Sequence, residues 1–300
     1  MAYDLTSLAL FRSLAQEGSI AAAAAKLGLA ASAASRRLSD LEKQAGVALI
    51  RRHRRGVTLT EAGRLMLRHA EVLAGQVARL QSELEDHAAG HRGAIRMAAN
   101  TSAITQFLPE DLAEFLVSNP GISLQMAEME SVEIIQAVRS GAVDLGIFSA
   151  FTQAAGLHVL PYRRDTLVVC APADHPLSAR RTLRLRDLDG HSVVALQRNS
   201  SLQAHVDKRA EDLGITIRTT VEVKSFDGVR RMVQARLGIA ILPFGAVEAY
   251  LGDGSIVMIP IDEPWATRDL MIALPGSDDL SPQVAALVRI LQGQGDQARQ

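Results

Sequence analysis

The sequence has 300 residues, 48% of them hydrophobic and 22% charged, with a formal net charge of −1 at pH 7. This length and composition predict a soluble globular protein with two or more domains. The single cysteine, Cys170, excludes an internal disulfide and a thiolate metal site, and its apolar neighbours 167–169 favour a buried, inert thiol over a redox sensor. No stretch approaches the roughly 18 apolar residues of a membrane span, and residues 1–4 lack the pattern of a secretion signal. We therefore expect a cytoplasmic protein without a membrane partner.

The net charge is unevenly distributed along the chain. Residues 1–70 hold eleven Lys and Arg against five Asp and Glu, a balance of +6, whereas the other 230 residues hold 21 against 28, a balance of −7. A basic segment favours contact with a polyanion such as DNA. The amino-terminal part is therefore predicted to meet nucleic acid, and the remainder is not.

The amino-terminal segment has the pattern of three short helices. The first is marked by apolar residues at helical spacing, which are Leu5, Leu8, Phe11, Leu14 and Ala15. A second helix, 18–27, is followed by the tight turn Gly28-Leu29, and a third helix spans 30–42. Two short helices joined by such a turn predict a helix-turn-helix, whose second helix enters a DNA major groove.

The third helix has two distinct faces. Ala34, Leu38 and Leu41 recur at positions i, i+4 and i+7 and are expected to pack inward. The outward face carries small side chains and arginines, which suit phosphates and base edges. The DNA contacts predicted on this helix are Ser32, Ala33, Ser35, Arg36 and Arg37.

Several motifs together resemble the signature of the LysR-type transcriptional regulators. They are Glu17-Gly18-Ser19-Ile20, Ala24-Ala25-Lys26-Leu27, Ser32-Ala33-Ala34-Ser35-Arg36, Leu41-Glu42, Leu59-Thr60-Glu61-Ala62-Gly63, Gly141-Ala142-Val143-Asp144-Leu145-Gly146-Ile147 and Gly238-Ile239-Ala240-Ile241-Leu242-Pro243. Their order along almost the whole chain implies the architecture of that family. The expected fold is α/β overall, with an N-terminal winged helix-turn-helix, a long linker helix, and a C-terminal two-lobed effector domain similar to periplasmic binding proteins.

The sequence departs from the family pattern at two places. Ala30 and Ala31 stand where members commonly carry Ser-Gln, so a capping hydroxyl and a base-reading amide are absent. Ile20 stands where many members have an aromatic residue. The usual base contact of the family is therefore not carried over to this chain.

A basic segment follows the helix-turn-helix. The extended run 47–50, the basic turn 51–56 and the extended run 57–60 predict a β-hairpin, the wing of a winged helix. A solvated basic turn is the simpler alternative, but phosphate contact is favoured here because phosphate neutralisation supplies much of DNA affinity. The arginines assigned to phosphates are Arg51, Arg52, Arg54 and Arg55.

A long helix is predicted from its N-cap Thr60 to about His87. Its apolar residues follow the spacing of a heptad seam and are Met66, Ala70, Leu73, Val77, Leu80 and Leu84. The seam could pack on its own domain, but the stripe is narrow and the opposite face is polar, which favours pairing with a second copy. A dimer would place two recognition helices on one DNA site. The family resemblance suggests a tetramer, with a second contact through the effector domains.

The segment 88–93 is interpreted as a hinge, which gives domains at 1–60, 61–92 and 93–300. His87 and His91 are four residues apart, as in some metal pairs, but no third ligand is near them in the sequence. A frayed helix end is therefore favoured. We expect neither a metal nor a cofactor.

Beyond the hinge, short apolar strands alternate with helices. Strands are predicted at 94–98, 122–127, 143–148, 167–171, 192–196, 216–223 and 239–242, and helices at 104–118, 132–140, 201–213 and 227–237. This alternation predicts an α/β domain with largely parallel sheets. By resemblance, lobe I comprises about 93–164 and 268–300, lobe II comprises about 165–267, and a ligand lies in the cleft between them.

Three polar turns would open into that cleft if the family fold holds. They are Asn100-Thr101-Ser102, Arg198-Asn199-Ser200-Ser201 and Ser225-Phe226, each directly before a predicted helix. Helix capping alone explains serine at these places about as well. Hydroxyls, helix N-termini and an arginine favour a small anionic effector, with Thr101, Ser102 and Arg198 as its leading contacts.

No enzyme motif competes with this interpretation. The sequence has no nucleophile elbow, no phosphate-binding loop and no His-Glu-x-x-His motif. Glu128, Glu130 and Glu133 form an acidic cluster that we interpret as solvated. We predict a transcription regulator that binds double-stranded DNA as a homo-oligomer and responds to a small-molecule effector. The alternative is a periplasmic solute-binding protein, which should carry a secretion signal and no basic helix-turn-helix.

Overall fold

The structure is a computed structural model that describes residues 3–54, 56–88, 93–198, 200–276 and 280–293. The chain divides into two compact units, Met1–Ala89 with Arg139–Val143 and Gly90–Val138 with Asp144–Gln300. Within the described ranges, no helix is both long and apolar enough to cross a membrane. Most of the predicted hinge, with His91, lies outside the described residues, and the domain boundaries stay predictions.

The first unit contains the predicted helix-turn-helix and hairpin. Its elements are α1 (Leu5–Glu17), α2 (Ile20–Lys26), α3 (Ala31–Ala45), β1 (Ile50–His53), β2 (Gly56–Leu59) and α4 (Glu61–Ala88). Asp4 caps α1 and Ser19 caps α2, whereas Ala30 gives α3 no side-chain cap, as its methyl group requires. Ala34, Leu38 and Leu41 of α3 are buried in the common core, which confirms the predicted inward face.

The wing is shorter and more tightly held than predicted. Arg51, Arg52 and His53 lie in β1 itself, paired with β2, and not in the turn. The backbone N–H of Val57 donates to the carbonyl of Gly18 at 2.8 Å. Gly56 has φ of 134°, and a Cβ there would lie 2.5 Å from the same carbonyl, so only glycine allows this approach. The wing therefore packs directly on the turn between α1 and α2.

The second unit alternates strands and helices as predicted through β9. Its elements are β3 (Gly93–Ala99), α5 (Thr101–Gln106), α6 (Leu108–Ser118), β4 (Ile122–Glu128), α7 (Ser131–Arg139), β5 (Leu145–Ser149), β6 (His158–Pro172), β7 (Ser192–Leu196), α8 (Ser201–Leu213), β8 (Arg218–Val223), α9 (Phe226–Gln234), β9 (Ala240–Pro243), α10 (Gly245–Glu248), β10 (Ile256–Pro260), β11 (Thr267–Leu274) and α11 (Pro282–Gly293). The strands β10 and β11 and the helix α11 were not among the predicted elements.

The prediction of largely parallel sheets is wrong for half of this unit. The pairs β3 with β4, β3 with β5 and β7 with β8 are parallel. In contrast, β11 is antiparallel to both β5 and β6, and β6 is antiparallel to β9 and β10. The reason is that β6 and β11 run in opposite directions beside each other, and that the long strand β6 continues into lobe II, where it pairs with β9 and β10. Separate apolar cores lie in the two lobes.

Cys170 lies in β6 within the core of lobe II. Its side chain is fully buried. Burial raises the pKa of its thiol to about 12, so the reactive thiolate is scarce at neutral pH. The structure agrees with the prediction of an inert thiol.

A buried ion pair joins the two long strands. Arg268 of β11 lies opposite Asp165 of β6, and its Nε donates to Asp165 Oδ2 at 2.8 Å. Its Nη2 donates to Ser102 Oγ at 2.6 Å. The side chains of Arg268 and Asp165 are 1% and 0% exposed. Buried charges are favourable only when they are paired, so loss of either partner in this ion pair is strongly destabilising.

We predict that Asp165→Asn lowers the free energy of unfolding of the effector domain by about 3–5 kcal/mol, because it leaves the Arg268 guanidinium buried without a counter-charge. The matched control is Asp269→Asn. Asp269 pairs with Arg164 on the same two strands, but both side chains are largely exposed. Its loss should cost less than about 1 kcal/mol. Urea denaturation of the full chain measures both, and equal small effects would contradict the prediction.

A ring stack connects the two lobes beside this pair. Phe151, which follows β5, stacks on His205 of α8 with centroids 3.6 Å apart and planes 10° apart. The Nε2 of His205 lies 3.4 Å from the carbonyl oxygen of Trp265, so the neutral ring donates there. Burial lowers the pKa of His205 to about 4, and the charges of Arg209 and Arg268 act in the same direction.

This pKa makes the stability of the effector domain depend on pH. The unfolded histidine binds a proton near pH 6.5 and the folded one only near pH 4, so the unfolded state holds more protons between these values. The stabilisation is therefore fully present above about pH 6.5 and is lost as the pH falls towards 4, by about 2–3 kcal/mol. Urea denaturation at several pH values between 7.5 and 4.5 should show a free energy of unfolding that falls with pH. The slope should be weaker in His205→Gln and unchanged in the control His158→Gln, at an exposed histidine. An unchanged slope in His205→Gln would rule this cause out.

Candidate functional site

The amino-terminal half of α3 presents the outward face predicted to bind DNA. Ser32, Ala33 and Arg36 are exposed and Ser35 is half-buried. The side chain of Arg36 is 87% exposed and only approaches Asp40, at 4.0 Å. Arg37 differs, because it pairs with Asp4 at the start of α1 at 3.4 Å. Arg37 therefore lies beside the start of α1 with its side chain partly exposed, and its assignment as a DNA contact stays a prediction.

The wing adds three exposed arginines to this face. Arg51, Arg52 and Arg54 are exposed, and Arg52 Nη2 donates to Ser35 Oγ at 3.4 Å, which joins the wing to α3. Within the part of the chain that the structure describes, none of these arginines pairs with a carboxylate. Arg55 lies outside the described residues. We call Arg36, Arg51, Arg52 and Arg54 the basic surface; its charge is available for phosphates.

The apolar seam of α4 is divided between two roles. Met66 is half-buried and Ala70 fully buried against the winged-helix core, so these two are not part of a free seam, contrary to prediction. The residues that remain exposed are Leu73, Val77, Leu80 and Leu84. A groove of about 180 Å³ between α1 and α4 continues this apolar surface, with Leu5 and Leu73 among its lining residues.

A cavity of about 420 Å³ opens between the two lobes of the second unit. It is lined by Thr101, Glu128, Met129, Glu130, Glu133, Gln197, Ser200, Lys224 and Ser225. These residues follow the carboxyl ends of β3 and β4 on lobe I, and of β7 and β8 on lobe II. Ligands of α/β proteins bind at this end of parallel strands. We call this cavity the cleft.

Only some of the predicted effector residues reach the cleft. Thr101 and Ser200 line it, and Ser201 lies at its edge, where its N–H meets Glu130. Three of the others are committed elsewhere. Asn100 caps α5 by accepting from Ala103 N, Ser102 accepts from Arg268, and Phe226 is buried in the core of lobe II.

The predicted arginine is also placed differently. The side chain of Arg198 is 84% exposed, pairs with Glu222 at 3.4 Å and does not line the cleft. Asn199 lies outside the described residues. Neither Ser102 nor Arg198 is therefore supported as a leading contact.

One of the three helix N-termini expected to favour an anion, that of α8, already meets a carboxylate of the protein. Glu130 Oε2 accepts from the backbone N–H of Ser201, the first residue of α8, at 3.1 Å. Burial raises the pKa of Glu130, and the neighbouring charges of Glu133 and Glu128 raise it further against the opposing bond from Ser201. The carboxylate of Glu130 thus occupies the N-terminus of α8, and the anionic character of the effector stays a prediction.

Direct hydrogen bonds also connect the lobes around the cleft. Ser131 Oγ donates to Ser201 Oγ at 3.3 Å. On another side, the N–H of Gly245 donates to Gln106 Oε1 at 3.0 Å. These two hydrogen bonds join lobe I directly to lobe II.

Sequence reasoning missed most of the lining residues. Glu128, Glu130 and Glu133 were interpreted as solvated, and Met129, Gln197 and Lys224 were not assigned. A signal was present for most of them, since all except Glu133 lie within three residues of the carboxyl end of a predicted strand.

Two protein-family models match the chain over nearly its whole length. Residues 5–64 match the bacterial regulatory helix-turn-helix protein of the lysR family, and residues 88–296 match the LysR substrate binding domain. The chain belongs to the LysR-type transcriptional regulators. This confirms the resemblance and the two-part fold. The match of the helix-turn-helix sets aside a solute-binding protein.

Curated LysR-type relatives cover almost the full chain. One is the RuBisCO operon transcriptional regulator of Allochromatium vinosum, 26% identical over 95% of this chain and 94% of that protein. Another is the probable nitrogen assimilation transcriptional activator of Synechococcus elongatus, 29% identical over 87% and 85%. Both names describe regulators of transcription, which is a non-enzymatic role. They confirm the prediction that this chain is a regulator and not an enzyme.

Solved structures of this family share the fold. A full-length OxyR variant from Pseudomonas aeruginosa has a TM-score of 0.63 and 24% identity, covering 97% of this chain and 95% of that one. Full-length CbnR complexed with its target DNA has a TM-score of 0.56 and 22% identity, covering 98% and 100%. The regulatory domain of CcmR from Synechocystis PCC6803, in complex with 2-PG, has a TM-score of 0.63 and 22% identity, covering 68% and 98%. At these identities the likeness shows the fold alone.

We predict that Arg36→Ala and Arg52→Ala each weaken DNA binding and reduce the slope of log affinity against log salt by about 0.9, the value for one lost phosphate contact. The matched control is Lys208→Ala on α8, which removes the same charge from the effector domain. Fluorescence anisotropy over a salt series measures the slopes. Equal slopes in all three variants would contradict the assignment of the basic surface.

Proposed function

We propose that the chain is a sequence-specific DNA-binding regulator of transcription whose activity is set by a small molecule bound in the cleft. The observation that carries the DNA function is the basic surface, where four arginines of the recognition helix and wing lie exposed together. Arginines neutralise backbone phosphates, and the exposed Ser32 and Ala33 of α3 are side chains able to contact base edges. As a DNA-binding protein of a bacterial regulator family, it works in the cytoplasm.

The effector function is supported by the cleft. Its volume of about 420 Å³ suits a small metabolite, and its walls belong to two lobes that are joined by the hydrogen bonds described above. A ligand that contacts both walls stabilises the closed arrangement and so shifts the balance between open and closed lobes. The 2-PG complex of CcmR, a protein of the same fold, is consistent with a ligand in this domain.

Footprinting of the promoter upstream of its own coding region tests the DNA function. The full chain should protect a site with two-fold symmetry, because paired subunits present two recognition helices. A fractionated extract of cell metabolites should change the length or the bending of the footprint. Protection that is uniform along any DNA fragment would contradict sequence-specific binding.

We propose that the subunits pair through the exposed part of the α4 seam, with the groove beside α1. Leu73, Val77, Leu80 and Leu84 form a continuous exposed apolar stripe on a helix whose amino-terminal third is fixed in the winged-helix core. A stripe of this kind is typical of a helix that pairs with a second helix. A tetramer would add a contact between effector domains.

We predict that Leu73→Asp and Leu80→Asp yield a smaller species in analytical ultracentrifugation and at least tenfold weaker operator binding, because each buries a charge in the apolar interface. Val117→Asp is the matched control. Val117 is 83% exposed on α6 of the effector domain, so its change should not weaken the α4 pair. Wild-type mass in both seam variants would place the interface elsewhere.

A further inference from the structure

The start of α4 is hydrogen-bonded to the segment that leads into the wing. Thr60 Oγ1 donates to the carbonyl oxygen of Ala48 at 2.7 Å, and the Thr60 N–H donates to the carbonyl oxygen of Leu49 at 3.0 Å. The same Oγ1 accepts from the backbone N–H of Gly63 at 3.0 Å, so Thr60 is also the N-cap of α4. One residue therefore caps the helix and joins it to the chain before β1.

The recognition helix α3 bonds to the same segment. Glu42 Oε1 accepts from the backbone N–H groups of Leu49 and Ile50 at 2.8 and 3.1 Å. Leu49 is 2% exposed, and buried peptide groups of this kind need hydrogen-bond partners. Its N–H is bound by a side chain of α3, and its carbonyl is bound by the residue that caps α4. The backbone of Leu49 thus links the two helices.

The junction between α3 and α4 is also closely packed. A Cβ at Gly63 would overlap the carbonyl group of Leu49, so only glycine lets the first turn of α4 approach this carbonyl so closely. Leu49 and Ile50 are buried in the winged-helix core together with Leu41 of α3 and Ala70 of α4. Hydrogen bonds and core packing therefore favour a single angle between the two helices.

This angle matters because α4 is long. From Thr60 to Leu80 the helix extends by about 30 Å, at about 1.5 Å per residue. A tilt of about 10° at Thr60 would move the recognition helix by about 5 Å relative to the far end of α4, which is more than one base-pair step of about 3.4 Å. The distance between the recognition helices of two paired subunits therefore depends on the junction.

We propose that Thr60 and Glu42 are positioning residues that set the spacing between the two half-sites bound by a pair of subunits. The inference rests on the proposed function, because it requires pairing through α4. Neither residue has to touch DNA. Their bonds to the backbone of Leu49 fix the angle between α3 and α4, and that angle fixes the distance between the two recognition helices. Duplexes with another spacing bind more weakly, because both half-sites cannot be occupied at once.

The test selects binding sites for the full chain from duplexes of random sequence and then varies the number of base pairs between the selected half-sites. Fluorescence anisotropy measures the affinity for each spacing and for a duplex with one half-site. The wild type should bind its best spacing about tenfold more tightly than spacings two base pairs longer or shorter. Thr60→Val and Glu42→Met should each reduce this preference to about threefold or less, because a loosened junction tolerates other spacings. Both variants should keep wild-type affinity for the single half-site.

Three variants serve as controls. Thr60→Ser and Glu42→Gln keep the hydroxyl and the acceptor oxygen, and should restore the wild-type preference. Thr58→Val makes the matched change at an exposed position of β2 and should also keep that preference. The preference is a ratio of affinities, so a lower folded fraction of a variant cancels from it. A purely structural role of Thr60 would therefore leave the preference unchanged.

The outcomes separate this inference from the proposed function. If the wild type selects no paired half-sites, the proposed pairing fails and the inference fails with it. If the wild type selects paired half-sites and Thr60→Val keeps the wild-type preference, only the inference is refuted. It is also refuted if Thr60→Ser loses the preference, or if Thr60→Val loses single half-site binding, because Thr60 would then act on the recognition helix itself. Thr60→Val leaves both bonds of Glu42 in place, so this variant decides the question even if Glu42→Met does not fold.

Discussion

The buried pairing of Arg268 with Asp165 is the interaction on which the effector domain depends. It joins the antiparallel strands β6 and β11, which pass between the lobes. The pair therefore fixes the register of these two strands where they leave lobe I. Through its second nitrogen, Arg268 also holds Ser102 in the first turn of α5. Thr101, which lines the cleft, precedes that serine directly. A single guanidinium therefore sets the crossing strands and the position of one cleft wall together.

The helical part of the fold could be predicted from the sequence because its signals are local. Ala34, Leu38 and Leu41 mark the buried face of α3 by their spacing alone. The directions of β6 and β11 have no such signal, since antiparallel pairing joins residues about a hundred positions apart, such as Asp165 and Arg268. Polar residues within β6 also hid its true length, because a strand that is exposed on one side has no continuous apolar run.

The effector residues were harder to assign for the same physical reason. A serine before a helix has the same sequence signature whether it caps, binds a ligand or meets a buried arginine, and Ser102 does the last with a partner 166 residues away. Glu130 looked like a solvated carboxylate because Ser201, its partner, is 71 residues further along the chain. The strand ends indicated where the cleft lies, but only the folded chain shows which side chains are already occupied.

The contacts within the winged helix bear on how a signal reaches DNA. Val57 binds the turn at Gly18, Glu42 accepts from the N–H groups of both Leu49 and Ile50, and Arg52 reaches Ser35. The wing and the recognition helix α3 are thus joined at several points and form one rigid DNA-binding head. A rigid head keeps the same contacts on its own half-site. In the paired arrangement proposed above, a ligand would then act on the distance or angle between the two heads, and operators should differ in the spacing of half-sites more than in their sequence.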